Sequence, residues 1–187
     1  MNSFFVARTL FIVLLAYSHA SLSETLIEAG IHLGGDELII EDYSNGGKDS
    51  SKAGNLFSFA MGGTKSFSDN IDVQLSLGIK SDIINSENPE VTWVRYPLNA
   101  MVFYRTKAYR IGLGITDHLS PKLNGNGVAS NISESYHDAI GALFEVDVKI
   151  NDTFLWGLRF TNIKYESRRR DRSLNGNSLG LLIMALL

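Results

Sequence analysis

The sequence predicts an all-β protein, an eight-stranded antiparallel up-and-down transmembrane β-barrel that follows a short export segment. Three observations carry this expectation. Apolar and polar residues alternate one by one over most of the chain, short and long links between the alternating segments take turns, and aromatic residues gather at segment ends. Alternation with a period of two puts all the apolar side chains of a strand on one face.

Residues 1–20 come first and stand apart. One arginine, Arg8, precedes an apolar run of about nine residues, and Ser18 and Ala20 are small residues suited to a cut after Ala20. A membrane-spanning helix needs about 20 apolar residues, so the segment is expected to be a signal peptide, with 21–187 forming one barrel domain.

The segments then follow in order. In residues 27–34, Ile27, Ala29, Ile31 and Leu33 oppose Glu28, Gly30, His32 and Gly34. Residues 55–67 put Phe57, Phe59, Met61 and Phe67 together, with Lys65 as an exception. Residues 71–80 are the cleanest: Ile71, Val73, Leu75, Leu77 and Ile79 against Asp72, Gln74, Ser76, Gly78 and Lys80. Residues 91–104 align Val94, Tyr96, Leu98, Ala100, Val102 and Tyr104 opposite Arg95 and Asn99, with Pro97 predicting a local defect. The same pattern recurs over 109–116, 140–150, 154–161 and 179–187. Ser68-Asp-Asn70, Arg105-Thr-Lys107 and Asn151-Asp152 form short links. The longer links, about 40–53, 85–90, 117–135 and 167–177, are rich in Gly, Asn, Ser and charge. In a meander, this rotation puts the short turns at one end and the long loops at the other.

Alternation alone fits two architectures. A soluble sandwich or lipocalin-like barrel turns its apolar face inward, whereas a membrane barrel turns it toward lipid. Three features favour the second. The polar faces carry Gly, Ser and Thr with isolated charges rather than dense Lys and Glu. The two ends differ in loop length. Aromatics form two sets expected to make girdles: Phe67, Tyr104, Tyr109, Phe154 and Trp156 by the short turns, and Trp93, Tyr96, Tyr136 and Tyr165 toward the long loops.

Composition narrows the function. The 187 residues are 44% hydrophobic and 20% charged, with a net charge of −3 and no cysteine. The apolar content argues against disorder, and the missing basic excess argues against nucleic acid as a partner. Without cysteine there is no disulfide, thiolate zinc site, cysteine nucleophile or acylated lipoprotein cysteine. The sequence has no phosphate-cradling Gly loop, zinc-type His pair or calcium-loop pattern, so no metal or cofactor is expected.

Charges on the polar faces point to an interior network of Glu28, His32, Asp72, Lys80, Arg95, Arg110, Glu145, Asp147 and Arg159, with Lys149 on the same face. Isolated charges in a narrow interior are costly, so these are expected to pair, with arginines suited to two-pronged bonds to carboxylates. Arg168, Arg169, Arg170 and Arg172 form the one dense basic run. In the last long loop it would face outward and could contact lipopolysaccharide phosphates.

The sequence resembles the small eight-stranded outer-membrane barrel proteins, the OmpA-, OmpX- and OmpW-like group. The resemblance spans residues 21–187 and rests on Leu26-Ile-Glu-Ala-Gly-Ile-His-Leu-Gly-Gly35, Gly157-Leu-Arg-Phe-Thr-Asn-Ile-Lys-Tyr165 and Asn177-Ser-Leu-Gly-Leu-Leu-Ile-Met-Ala-Leu-Leu187. It implies a Gram-negative outer membrane, surrounding lipids and lipopolysaccharide, contact with the outer-membrane assembly machinery, and a monomer. Members usually end in an aromatic residue; this sequence ends in Leu187.

A non-enzymatic structural or surface-interaction role, with specificity in loops 40–53, 117–135 and 167–177, is the expectation. Its rivals are a narrow small-solute channel, a soluble periplasmic binding barrel and a lipid A hydrolase. The last rests on His118 and Ser120 with a later Glu134, which resemble the His-x-Ser pair and Glu of outer-membrane lipid A deacylases. Here Pro121 stands where that family has Asn, and the pair lies far from the C-terminus. The plainer reading makes residues 117–121 the entry to a loop.

Overall fold

The computed structural model describes residues 24–42, 48–54, 56–85, 90–126 and 133–187. The expected signal segment lies outside them. Eight strands close into one barrel: β1 (Glu24–Leu33), β4 (Leu56–Ser68), β5 (Ile71–Asn85), β6 (Glu90–Arg105), β7 (Tyr109–Asn126), β9 (Ala139–Lys149), β10 (Phe154–Asn162) and β13 (Ser178–Leu186). Each pairs antiparallel with the next, and β13 returns to β1 over eight residue pairs from Leu26↔Leu186 to Leu33↔Leu179. Closure leaves no free sheet edge at the level of these strands.

The apolar faces point outward, as the alternation predicts for a barrel in lipid. Leu113, Phe57, Leu33 and Ile140 are all more than 60% exposed, while Glu28, Glu145 and Asp147 on the opposite faces are at most 1% exposed. This is the inverse of a soluble barrel, and it excludes the lipocalin-like arrangement.

Short turns form where side chains supply the hydrogen bonds that the backbone loses. Asn151 Oδ1 accepts from the backbone N–H groups of Thr153 (2.9 Å) and Phe154 (2.8 Å). Thr106 Oγ1 does the same for Tyr109 (3.1 Å) and Ala108 (3.3 Å). Asn and Thr favour turns for this reason. Asn70 Nδ2 donates across to Arg105 O (3.0 Å), tying two adjacent turns together.

Pro97 marks a defect, as expected. The β5–β6 ladder skips from Leu98 to Arg95 at this point. On the other side of β6, Val94 pairs with Lys122 but Tyr96 pairs with Leu119, so Ser120 and Pro121 share one place opposite Arg95. Ser120 takes φ = 47°, the left-handed conformation found in such bulges. Its backbone N–H donates to Asp138 Oδ1 at 2.7 Å. The bulge resets the alternation: His118 faces inward before it, Pro121 and Leu123 after it.

The long-loop end departs from the expectation. Residues 117–126 continue strand β7, so 117–121 are a bulged strand and not a loop entry. Five further strands stand above the barrel: the hairpin of β2 (Glu37–Asp42) and β3 (Lys48–Lys52), the short β8 (Ser133–Ser135) on β7, and the hairpin of β11 (Lys164–Glu166) and β12 (Ser173–Asn175). Polar sequence read as loop here folds as β-extension, because a rigid barrel below fixes the direction of each emerging strand.

Candidate functional site

Inside the barrel, large side chains need room, and glycines directly across the ladder provide it. His32 pairs with Gly180, and a Cβ built on Gly180 would lie 2.3 Å from the His32 ring. Phe103 pairs with Gly112, whose Cβ would meet the Phe103 ring at 2.5 Å. Small facing large is how an eight-stranded barrel fills an interior only a side chain wide.

The charges sit in this space. Arg159 donates to both carboxylate oxygens of Glu28, 2.6 Å each, and its Nε donates to Glu145. Arg110 Nε donates to Asp147 Oδ2 (2.7 Å) and its Nη2 to Gln74 Oε1 (3.1 Å), while its guanidinium lies 4.1 Å over the Phe103 ring. Asp72 takes a hydrogen bond from Ser66 (2.8 Å) and lies 3.4 Å from Arg105 at the short-turn rim. His32 bonds Ser58 Oγ (2.8 Å), and Lys80 donates to Ser178 Oγ (3.3 Å). The guanidinium of Arg95 stands 5.3 Å over the Trp93 ring. The nine predicted residues are all buried, whereas Lys149 is half-buried at the rim. Beside them Leu26, Leu155, Leu182 and Met184 form an apolar cluster, with Met184 Sδ 3.7 Å from Arg110 Nη2.

The long-loop mouth is closed differently. Trp93, Tyr136 and Tyr165, expected in an outer girdle, are buried at 1%, 1% and 0% exposure, whereas Tyr96 is 44% exposed and does face outward. The correction follows from parity. Trp93 lies an odd step from Tyr96 on β6, so it points inward where Tyr96 points to lipid. The three rings meet edge to face, with centroids 5.2 Å (Trp93–Tyr136) and 5.4 Å (Trp93–Tyr165) apart. Trp93 Nε1 donates to Ala53 O (3.2 Å), and His118 Nδ1 bonds Tyr165 Oη (2.7 Å). Leu38, Val91, Leu123, Ile163 and Leu174 complete this cap. Both phenols are pushed up to about 12, chiefly by burial, Tyr136 also by the charge of Glu134.

Above the cap lies the arginine run, at the tip of the β11–β12 hairpin. Arg169, Arg170 and Arg172 are exposed. Arg168 is exposed as well but tethered: its Nε donates to Tyr136 O (2.9 Å) and its guanidinium reaches Asp138 at 4.0 Å. Ser167 Oγ accepts from the backbone N–H groups of Arg169 (3.2 Å) and Arg170 (3.1 Å) and donates to Glu134 Oε1 (2.6 Å). The tip is therefore shaped before any ligand arrives.

The deacylase-like residues do not assemble. His118 points into the barrel and binds Tyr165, Ser120 is exposed on the bulge, and Glu134 binds Ser167. Among the described residues no base is bonded to the Ser120 hydroxyl, as activation of a hydroxyl nucleophile requires.

Sequence reasoning missed the aromatic cap, Gln74, Ser58, Ser178 and Arg105 as partners. Parity from Tyr96 would have placed Trp93 inward. The neutral partners carry no such signal, since Ser and Gln look the same on any polar face.

No protein-family model and no curated protein matches the sequence. Among solved structures, the chain is similar to Ail, the attachment invasion locus protein of Yersinia pestis, crystallised in complex with the heparin analogue sucrose octasulfate. The TM-score is 0.55 at 13% identity, covering 88% of this chain and 98% of that one. A second crystal structure of Ail gives a TM-score of 0.52 at 12% identity, covering 88% and 98%. Neisserial surface protein A gives 0.50 at 8% identity, covering 87% and 95%.

Proposed function

We infer that this chain, which has the fold of the small outer-membrane β-barrels and an apolar belt to match, works in the outer membrane. We propose that it is a non-enzymatic, monomeric surface-interaction barrel whose β11–β12 hairpin binds the phosphate groups of lipopolysaccharide. One observation carries the reading: Arg169, Arg170 and Arg172 project from a tip held by Ser167, while Arg168 anchors it to Tyr136. Guanidinium groups match phosphate oxygens with two parallel hydrogen bonds. A tip already ordered loses little freedom on binding. The filled interior speaks against solute passage, and the separated His118, Ser120 and Glu134 speak against hydrolysis.

Binding of the nanodisc-embedded barrel to lipopolysaccharide tests the proposal. Neutralising Arg169, Arg170 and Arg172 together to Gln is expected to weaken binding at least about tenfold, the loss of one or more charged hydrogen bonds. Phosphate-stripped lipopolysaccharide is expected to bind the unaltered barrel as weakly. Equal binding in either comparison refutes the phosphate role. A sulfated polysaccharide in a third arm separates a membrane-lipid ligand from an extracellular one.

A further inference from the structure

The lipid-facing wall of the barrel is not uniform. Outward residues of one strand should be exposed alike, yet Leu98 on β6 is 7% exposed while Tyr96 and Val102 on the same face are 44% and 51% exposed. On β4 the outward series Phe59 and Met61 continues with Gly63, which leaves the apolar belt without a side chain at that place. Beside these positions a groove of about 980 Å³ is sunk into the outer wall, lined by Ser120, Tyr96, Leu119, Leu77, Gly63 and Thr25 among others. Its volume is at the upper end of those that hold small ligands, about 300–1,000 Å³. The groove follows the ladder across five strands, through Thr25↔Gly63, Gly63↔Leu75, Leu77↔Leu98 and Tyr96↔Leu119. Barrel strands tilt by about 35–45°, so a path across them also changes depth. It descends from Ser120 on the long-loop side to Thr25, which bonds Leu187 at the short-turn end.

The upper end of the groove adjoins the arginine hairpin. Ser120 stands on the bulge, and the Asp138 oxygen that accepts its backbone N–H (2.7 Å) lies 4.0 Å from the Arg168 guanidinium. Cations above and an apolar channel below complement the two parts of an anionic amphiphile. We propose that the groove seats an acyl chain of the same lipopolysaccharide molecule whose phosphates the β11–β12 hairpin binds, an inference that rests on the hairpin reading above. The ligand is then a lipid of the barrel's own membrane and not a free polyanion. Guanidinium contacts fix its headgroup, and burial of the chain adds to the affinity methylene by methylene.

The test is native mass spectrometry of the detergent-solubilised barrel titrated with lipid A, the acylated and phosphorylated anchor of lipopolysaccharide, and with phosphatidylglycerol as a rival acyl lipid. The unaltered barrel is expected to retain lipid A in preference to phosphatidylglycerol. Gly63→Leu puts a side chain into the groove and is expected to weaken lipid A binding roughly tenfold, the loss of about two buried methylenes. Leu77→Trp narrows the same groove from the next strand and serves if the first variant fails to fold. Ala142→Leu, on the outer face of β9 and away from the groove, is expected to change nothing. Unchanged binding in both groove variants, an equal loss in Ala142→Leu, or equal retention of phosphatidylglycerol would each overturn the proposal. Deacylated lipopolysaccharide keeps the two readings apart, because its binding should depend on Arg169, Arg170 and Arg172 and not on the groove. If their replacement by Gln weakens it while the groove variants leave lipid A binding intact, the groove falls and the hairpin stands; if their replacement changes nothing, the hairpin reading falls.

Discussion

The two halves of the interior are closed by opposite chemistry. At the level of the membrane-spanning strands clamped charges sit between small apolar clusters: Arg159 clamps Glu28 and Glu145, and Arg110 clamps Asp147. At the mouth it is aromatic: Trp93, Tyr136 and Tyr165 pack edge to face, with Arg95 over the indole. The difference follows from what lies outside each half. Lipid-level strands spend their apolar residues on the outer face, and polar residues fall inward. Above the bilayer the outside is water, so the same alternation can again bury apolar groups, and the extended strands build a small conventional core. One barrel thus changes from inside-out to outside-in along its axis.

The largest effect is expected from breaking the lower half. Arg159→Met leaves Glu28 and Glu145 buried without their partner, and the barrel should lose roughly 3–5 kcal/mol. Urea unfolding in detergent measures this. Adding Glu28→Gln and Glu145→Gln to the same chain should recover much of it, because the cost lies in the stranded charges. No recovery would mean that Arg159 acts through its bulk.

A smaller and more local effect is expected above. Trp93→Ala should cost about 3 kcal/mol, the low end for a buried aromatic, since the surrounding strands can close in. Limited proteolysis should then cut the β11–β12 hairpin sooner, while the barrel strands stay protected. Equal loss of protection throughout would mean that cap and barrel are one cooperative unit.

The smallest effect comes from alkaline pH acting on the two phenols of the mouth. With the phenols of Tyr136 and Tyr165 pushed up to about 12 from an ordinary 10.0, the folded state favours their neutral form. Their contribution is whole below pH 10 and declines as pH rises toward 12, because the unfolded chain gives up its protons first. Absorbance at the tyrosinate band should show these two titrating last. Early titration of every tyrosine would show that the cap is open in solution.

Much of the barrel was legible in the sequence, and for a physical reason. A strand in lipid must be apolar on every second residue, so Ile71 to Ile79 could be read without knowing a single contact. The pair Arg159–Glu145 was within reach as well. A tight turn around Asn151 and Asp152 fixes the register of β9 and β10, and that register sets these two residues opposite each other. The pair Arg159–Glu28 was not, because it spans 131 residues and depends on closure. The mouth was misread because its aromatics were grouped by height along the barrel, while inward and outward are decided by odd and even steps. Arg168 differs from Arg169 only in the neighbour it meets, and a run of identical residues hides that.

The clamp on Glu28 also says something about the order of assembly. Glu145 reaches Arg159 across one hairpin, so that bond can form as soon as two adjacent strands meet. Glu28 lies on the first strand, and Arg159 reaches it past Gly180 of the last. Distant contacts of this kind come late in folding, after the loop entropy has been overcome. Arg159 can therefore hold one carboxylate through most of the pathway and take the second only when the ends of the sheet join. The fork of hydrogen bonds is a latch on the final seam.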